Sequence, residues 1–333
     1  MAYGWIGWLV AGVMLVASPA LANDTQAVEG AGGLRLAKNA ALRMESEDLR
    51  LGRDEVRVAY VFRNLSPHDQ TITVAFPLPA LDMGDLSETP HSFHFNGRDG
   101  DVVDFHLEVD GRPAAPKLDV HAINAAGRDI TAALRAAGVP MVGARSDDEI
   151  ERALGRLTAA QVKTLAAVDA VDADEWMPPN DVHHPKWRVR ASYYWTQRFP
   201  AGGVVRIGHR YRPVLGAVPV RDLDLAKLPS ELGGLGTWPD EKKGWCLTRA
   251  DLRPYARSGA VLAWLEYVLK TGANWAGPIG QFRLTIAAPP GGIASACPIP
   301  GLTLTRSRAG LAADAINFTP TSDIAAAFAA PVW

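Results

Sequence analysis

The stretch Trp187-Arg-Val-Arg-Ala-Ser-Tyr-Tyr-Trp-Thr-Gln-Arg-Phe199 decides the fold class. Trp187, Val189, Ala191, Tyr193, Trp195 and Phe199 share one parity; Lys186, Arg188, Arg190, Ser192, Tyr194, Thr196 and Arg198 share the other. Side chains alternate across a β-strand, so this period predicts a long strand packed on one face and wet on the other. Pro200-Ala-Gly-Gly203 predicts a turn back. Val205, Ile207, His209 and Tyr211 then line a return strand opposite Arg206, Arg210 and Arg212.

The same period recurs on both sides. Val56, Val58, Tyr60 and Phe62 predict a strand, and Asn64-Leu-Ser-Pro-His-Asp69 has turn chemistry. Ile72, Val74, Phe76 and Leu78 predict its hairpin partner, ended by Pro77 and Pro79. A second hairpin is expected from Val103 to Val109, the Asp110-Gly111 turn, and Leu118, Val120 and Ala122. Further strands are expected over Ala263–Leu269, Gln281–Ile286 and Leu302–Arg306, with a short helix at Arg249–Arg257.

Between the two β regions the pattern is helical. Ile130–Ala137 stops at Gly138, and Ser146/Glu149 and Thr158/Gln161 fit capping boxes opening two more short helices. An acidic, proline-bearing loop follows to Asp181. These segments predict a mainly β (α+β) fold, an antiparallel β-sandwich with a small helical insertion. The expected parts are a leader at 1–22, an N-terminal β part at 23–125, the insertion at 126–185 and a C-terminal β part at 186–333.

The chain has 333 residues, 48% hydrophobic and 21% charged, with 34 basic against 36 acidic side chains. That balance gives no field for nucleic acid, which is excluded as a partner. Trp5–Ala17 is an apolar run without charge, followed by Ser18-Pro19 and Ala20-Leu21-Ala22. It reads as a signal peptide cut after Ala22, with an uncleaved N-terminal anchor as the alternative, so the mature protein is expected in the periplasm or secreted, without a transmembrane span. In an oxidising compartment the two cysteines, Cys246 and Cys297, are expected to form one disulfide, with a pair of unlinked buried thiols as the alternative.

Several stretches together resemble a known group: Val74-Ala-Phe-Pro-Leu-Pro79, Asp129-Ile-Thr-Ala-Ala-Leu134, Tyr193–Ala201, His209-Arg-Tyr-Arg-Pro213 and Thr271-Gly-Ala-Asn-Trp-Ala-Gly-Pro-Ile-Gly280. They look like the bacterial exported family known as domain of unknown function 4424, over nearly the whole mature chain. The last stretch is the most specific. The resemblance implies a bacterial, exported protein; it implies no activity and carries no site residues.

The candidate sites are weak. His209 lies on an apolar strand face, where a histidine bonded to a backbone carbonyl is the expectation and a tuned base or ligand the alternative. His183 and His184 could contribute to a metal site, yet adjacent residues in extended chain point apart. His91/His94 and Asp99/Asp101/Asp104 lack the spacing of a zinc or calcium site. No nucleophile elbow, H-E-x-x-H or phosphate loop occurs, so neither cofactor nor metal is expected. Lys186, Arg188 and Arg190 form a basic strand face that could take an anionic glycan or lipid headgroup, or simply face water beside the acidic insertion. Trp275, in the glycine-rich loop, is expected to plug the core, with ligand contact as the alternative. The expected function is therefore a non-catalytic binding or envelope-associated protein whose partner is an envelope protein, glycan or anionic ligand. A periplasmic hydrolase using histidine and carboxylate, or a structural envelope subunit, are the competing expectations.

Overall fold

The computed structural model describes residues 23–30, 33–88, 90–146, 148–174, 183–223, 225, 231–232, 246–256 and 259–331; the expected leader and most of the acidic loop before Asp181 lie outside them. Its strands are β1 Thr25–Gly30, β2 Gly33–Ala37, β3 Leu42–Leu51, β4 Val56–Asn64, β5 Gln70–Pro77, β6 Leu81–Asp82, β7 His106–Val109, β8 Arg112–Ala114, β9 Lys117–Asn124, β10 Trp187–Phe199 and β11 Val204–Tyr211. They continue as β12 Gly216–Pro219, β13 Glu231–Leu232, β14 Leu247–Thr248, β15 Ala260–Tyr267, β16 Ile279–Ala287, β17 Ile293–Ala296, β18 Thr305–Ser307, β19 Gly310–Phe318 and β20 Ile324–Pro331. The helices are α1 Met83–Glu88, α2 Thr131–Ala137, α3 Asp148–Leu154, α4 Ala159–Ala166 and α5 Arg249–Leu252.

Two large sheets enclose the main core. One runs β2-β1-β5-β10, with β6 beside β5 on one edge of β10 and β9 on its other edge. The other runs β18-β19-β16-β3-β4-β11-β7-β8, in which β16 and β3 are parallel and every other pair is antiparallel. N-terminal and C-terminal strands thus share both sheets. The alternation expected for β10 is present: Trp187, Val189, Ala191, Tyr193, Trp195 and Phe199 are buried, while Arg188 and Arg190 are exposed. This is a mainly β, sandwich-like α+β fold.

Three expected hairpins are corrected. β4 lies in the eight-stranded sheet and β5 in the other, so Asn64–Asp69 carries the chain between sheets. β10 and β11 part in the same way at Pro200–Gly203. The Asp110-Gly111 turn does make a hairpin, but from β7 and β8; the strand at Leu118–Ala122 crosses over to pair with β10. The reason is common to all three. Each strand buries only its inner face, and adjacent strands can bury those faces against one another across the core as well as side by side. Asn64 stabilises one crossing: its Nδ2 donates to the carbonyls of His68 and Phe199 at 2.8 and 3.0 Å.

The helices α2–α4 lie between β9 and β10 in sequence. α2 ends at Gly138 with φ 72°, and Thr158 and Gln161 form the expected capping box. Ser146 does not show its expected one: its hydroxyl donates to Asp148, and Glu149 accepts from the Ala144 amide. A third sheet, β12-β15-β20-β17, places β20 between two cores. Ile324, Ala326 and Phe328 face the main one; Ala327 and Ala329 face a smaller one with Val220, Leu247, Leu252, Ala260 and Leu262. A strand buried on both faces has no wet positions to alternate with, which accounts for its alanine-rich run. Cys246 and Cys297 are joined by a disulfide with a Cα–Cα distance of 4.9 Å, beside this smaller core. The strand expected over Leu302–Arg306 shrinks to Thr305–Ser307.

Candidate functional site

The unusual chemistry of this protein is inside it. Asn23, Asp24 and Thr25 are wholly buried, and the glycine-rich loop Thr271–Gly280 closes around them. Trp275 Nε1 donates to the Asp24 carbonyl at 2.8 Å, and Asn274 Nδ2 to Thr25 Oγ1 at 3.1 Å. Two glycines of this loop are there because neighbours come too close for a side chain. A Cβ on Gly272 would sit 2.8 Å from Asn23 Nδ2, and one on Gly280 2.5 Å from the Glu45 carbonyl. Glu45 lies in a register shift of β3 between Met44 and Ser46. Such a bulge inverts parity and sends Glu47 to the inner face with Leu49 and Leu51.

Glu47 therefore joins Asn23, Asp24, Tyr60, His209 and Tyr267 in one buried polar cluster. Asn23 Nδ2 donates to both Glu47 oxygens at 3.1 and 3.3 Å, and Tyr60 donates its hydroxyl to Asn23 Oδ1. The Tyr60 and Tyr267 hydroxyls are 3.2 Å apart. His209 Nε2 lies 3.0 Å from Asp24 Oδ1, with both side chains 0% exposed. The approach is off the ring N–H direction, so neither group has a well-directed hydrogen bond. Phe76, Phe105, Trp195 and Tyr60 surround the imidazole at ring distances of 5.0 to 5.6 Å. Burial pushes the Glu47 carboxyl up to about 8 against the opposing Asn23 bond, and raises Asp24 against the opposing pull of His209. Burial likewise drives the Tyr60 and Tyr267 hydroxyls well above their ordinary value. The cluster holds two acids against one imidazole.

A surface cleft shares the neighbouring residue Tyr211 with the aromatic rings around His209. It has a volume of about 430 Å³; three arginines, Arg53, Arg210 and Arg212, and three carboxylates, Asp54, Glu55 and Asp104, line it together with His94 and Tyr211, which is packed on Phe76 and Phe105. Arg53 pairs with Asp54 at 3.1 Å and Arg210 approaches Glu55 at 4.0 Å. Arg212 is exposed and makes no ion pair among the described residues. Partial burial and then Arg212 hold His94 below its ordinary value.

The described helices include none long and apolar enough to cross a membrane. The sequence profile of the family described as Domain of unknown function (DUF4424) matches residues 22–326. The chain belongs to this family. No curated protein matches it. Among solved structures, a candidate nutrient-binding protein from Legionella pneumophila is similar at 15% identity and TM-score 0.44, over 93% of this chain and 70% of that one. An M1 zinc metallopeptidase from Deinococcus radiodurans aligns at 12% identity and TM-score 0.21, over 88% of this chain and 43% of that one. Neither likeness is close enough to carry an argument about ligand or chemistry.

Within this DUF4424 chain the residues singled out from sequence are scattered. His209 is buried in the core, and the group beside it is the Asp24 carboxylate and not a backbone carbonyl. His183 is buried with Nδ1 2.9 Å from the Asp172 carbonyl, and no group of three metal-ligating side chains occurs among the described residues. Lys186 is half-buried beside the insertion, with Nζ 2.8 Å from Asp169 and 3.4 Å from Asp172. Arg188 reaches Asp82 at 3.0 Å, and Arg190 is exposed opposite His121 of β9. Trp275 is buried in the core. Asp99 has a structural task, accepting from the amides of Met141, Val142 and Gly143. The cluster around Glu47 was missed, although extending the Leu51–Leu49 alternation back one step lands on Glu47.

Proposed function

We propose that this chain is an exported, non-catalytic binding protein of the bacterial envelope that takes an anionic ligand at Arg212, in the cleft this residue shares with Arg53 and Arg210 and their acidic partners. The observation that carries this reading is Arg212, a guanidinium without an ion-pair partner among the described residues, in a cleft of about 430 Å³ beside His94 and Ser92. Guanidinium groups offer forked donors that match carboxylate, phosphate or sulfate oxygens. The leader at 1–22 and the disulfide support export. The basic face at Lys186 and Arg188 has less in its favour as a ligand platform, because both side chains already hold acidic partners.

A hydrolase built on His209 has less support. With its ring wholly buried and boxed by aromatic rings, no substrate reaches it in this conformation. The test is thermal unfolding of the exported protein with inorganic phosphate, citrate and a polygalacturonate glycan. A ligand at ~100 times its dissociation constant adds ~2.7 kcal/mol. At least one probe should stabilise the wild type, more weakly at high salt, and not the Arg212→Ala variant. A wild type indifferent to all three, or a variant that responds equally, overturns the assignment of the cleft.

A further inference from the structure

We infer that removal of residues 1–22 creates a functional group of this fold: the α-amino group of Asn23, buried as an ammonium ion against Glu47. The inference rests on the export reading above and goes beyond it, since export requires only that the leader be cut.

The position of Asn23 carries it. The first described residues, Asn23, Asp24 and Thr25, are 0% exposed. Chain termini are ordinarily among the most weakly held parts of a domain unless something ties them down. Here Trp275, Asn274 and Gly272, all within the glycine-rich loop Thr271–Gly280, form a socket for these three residues. A socket of this depth for the residues that follow the cleavage site is what a captured terminus requires.

The charges agree. The cluster contains two buried carboxyl groups, Asp24 and Glu47, and one imidazole, which is spent on Asp24. Tyr60 and Tyr267 bring hydroxyls but no cation, and Lys270, the nearby lysine, is paired with Asp323 at 2.8 Å. A buried carboxylate without a cation is held as the neutral acid, whereas a paired one can ionise. The Asn23 side-chain amide already touches both Glu47 oxygens, and the α-nitrogen is tethered to that amide within roughly 5 Å by the residue's own short side chain. While Ala22 is attached, that nitrogen is a neutral amide. Hydrolysis of the 22–23 peptide bond adds water across it, leaving a carboxylate on the departing leader and an ammonium with three donors on Asn23. The cut therefore delivers the missing charge to the core, and the folded state is tuned to the processed chain.

The full chain, exported from a bacterial host with its own leader, provides the test. Intact mass should give a chain beginning at Asn23. Its α-amine should react with an acylating reagent at least about 100-fold more slowly in the native protein than in urea, as expected for a group reached only by opening of the fold. An uncut chain overturns the inference together with the export reading, and a chain cut at another bond overturns the inference alone. A chain beginning at Asn23 whose amine reacts like that of a free peptide overturns the inference alone. Glu47→Gln gives a second readout of opposite sign. It should raise the unfolding equilibrium constant of the Asn23-terminated chain by roughly 100-fold, through loss of a buried partner. In a chain retaining Ala22 it should be neutral or lower that constant at pH 8. Equal effects in both chains would overturn the pairing.

Discussion

The indole nitrogen of Trp275 donates to the main-chain carbonyl of Asp24 across 2.8 Å of core. One end of this bond belongs to the glycine-rich loop Thr271–Gly280, the other to the second residue after the expected leader. The loop holds residues 23–25 through this bond, the Asn274–Thr25 bond and the close approach of Gly272 to Asn23.

Trp275→Phe keeps an aromatic plug and removes the donor. It should cost about 1–3 kcal/mol, because the Asp24 carbonyl is left buried without a partner. Gly272→Ala should cost a similar ~1–3 kcal/mol, since its Cβ would press on Asn23 Nδ2 at 2.8 Å. Urea midpoints at constant slope measure both. A Trp275→Phe protein as stable as wild type would reduce Trp275 to filler.

His209 and Asp24 should be more costly still. Removing either partner leaves the other in the aromatic box, so His209→Ala and Asp24→Asn should each lose roughly 3–5 kcal/mol. The double variant should lose clearly less than the sum, because the two residues are in contact. Additive losses in a double-mutant cycle would mean that the 3.0 Å approach carries no coupling.

The sequence made the strands legible because β10, β4 and β11 each bury a single face, and a two-residue period records that directly. It did not say which sheet each strand joins. The Asn64–Asp69 and Pro200–Gly203 turns look the same whether the chain folds back beside itself or crosses the core. β20 escaped notice because burial on both faces erases the period, leaving only alanine-rich composition. The candidate site was hidden by a local irregularity. The shift at Met44/Ser46 changes the parity of β3, so Glu47 looks exposed when counted from Leu42 and buried when counted from Leu51. Asn23 and Asp24 looked like the polar residues that normally follow a leader, and nothing local marks them as core.

The disulfide should stabilise the region of the smaller core. Its ends are 51 residues apart in sequence, and closing a loop of that length contributes ~4 kcal/mol by chain entropy. Reduction should lower the melting temperature of the wild type and leave a Cys246→Ser/Cys297→Ser variant unchanged. A wild type indifferent to reductant would show that the smaller core, around Leu247 and Leu252, holds without the bond.

Glu47 fixes a pH dependence whose sign follows from its burial. In a chain that retains Ala22, its carboxyl is pushed up from 4.5 to about 8. Between those values the folded state keeps a proton that the unfolded state has released. The contribution is thus fully present below about pH 4.5, falls as pH rises through the window, and levels off above about 8. The slope reaches ~1.4 kcal/mol per pH unit at its steepest. Asp24, also raised by burial, adds a fall of the same sign, so the clean observable is the difference from Glu47→Gln, in which Asp24 remains. Urea unfolding at pH 5 and pH 8.5 should find that variant close to its parent at the lower pH and more stable by a few kcal/mol at the higher. Parallel profiles would show that Glu47 holds no proton in the fold. In the chain that begins at Asn23 the gap should close or reverse, because an ammonium ion beside Glu47 favours the carboxylate that burial alone disfavours.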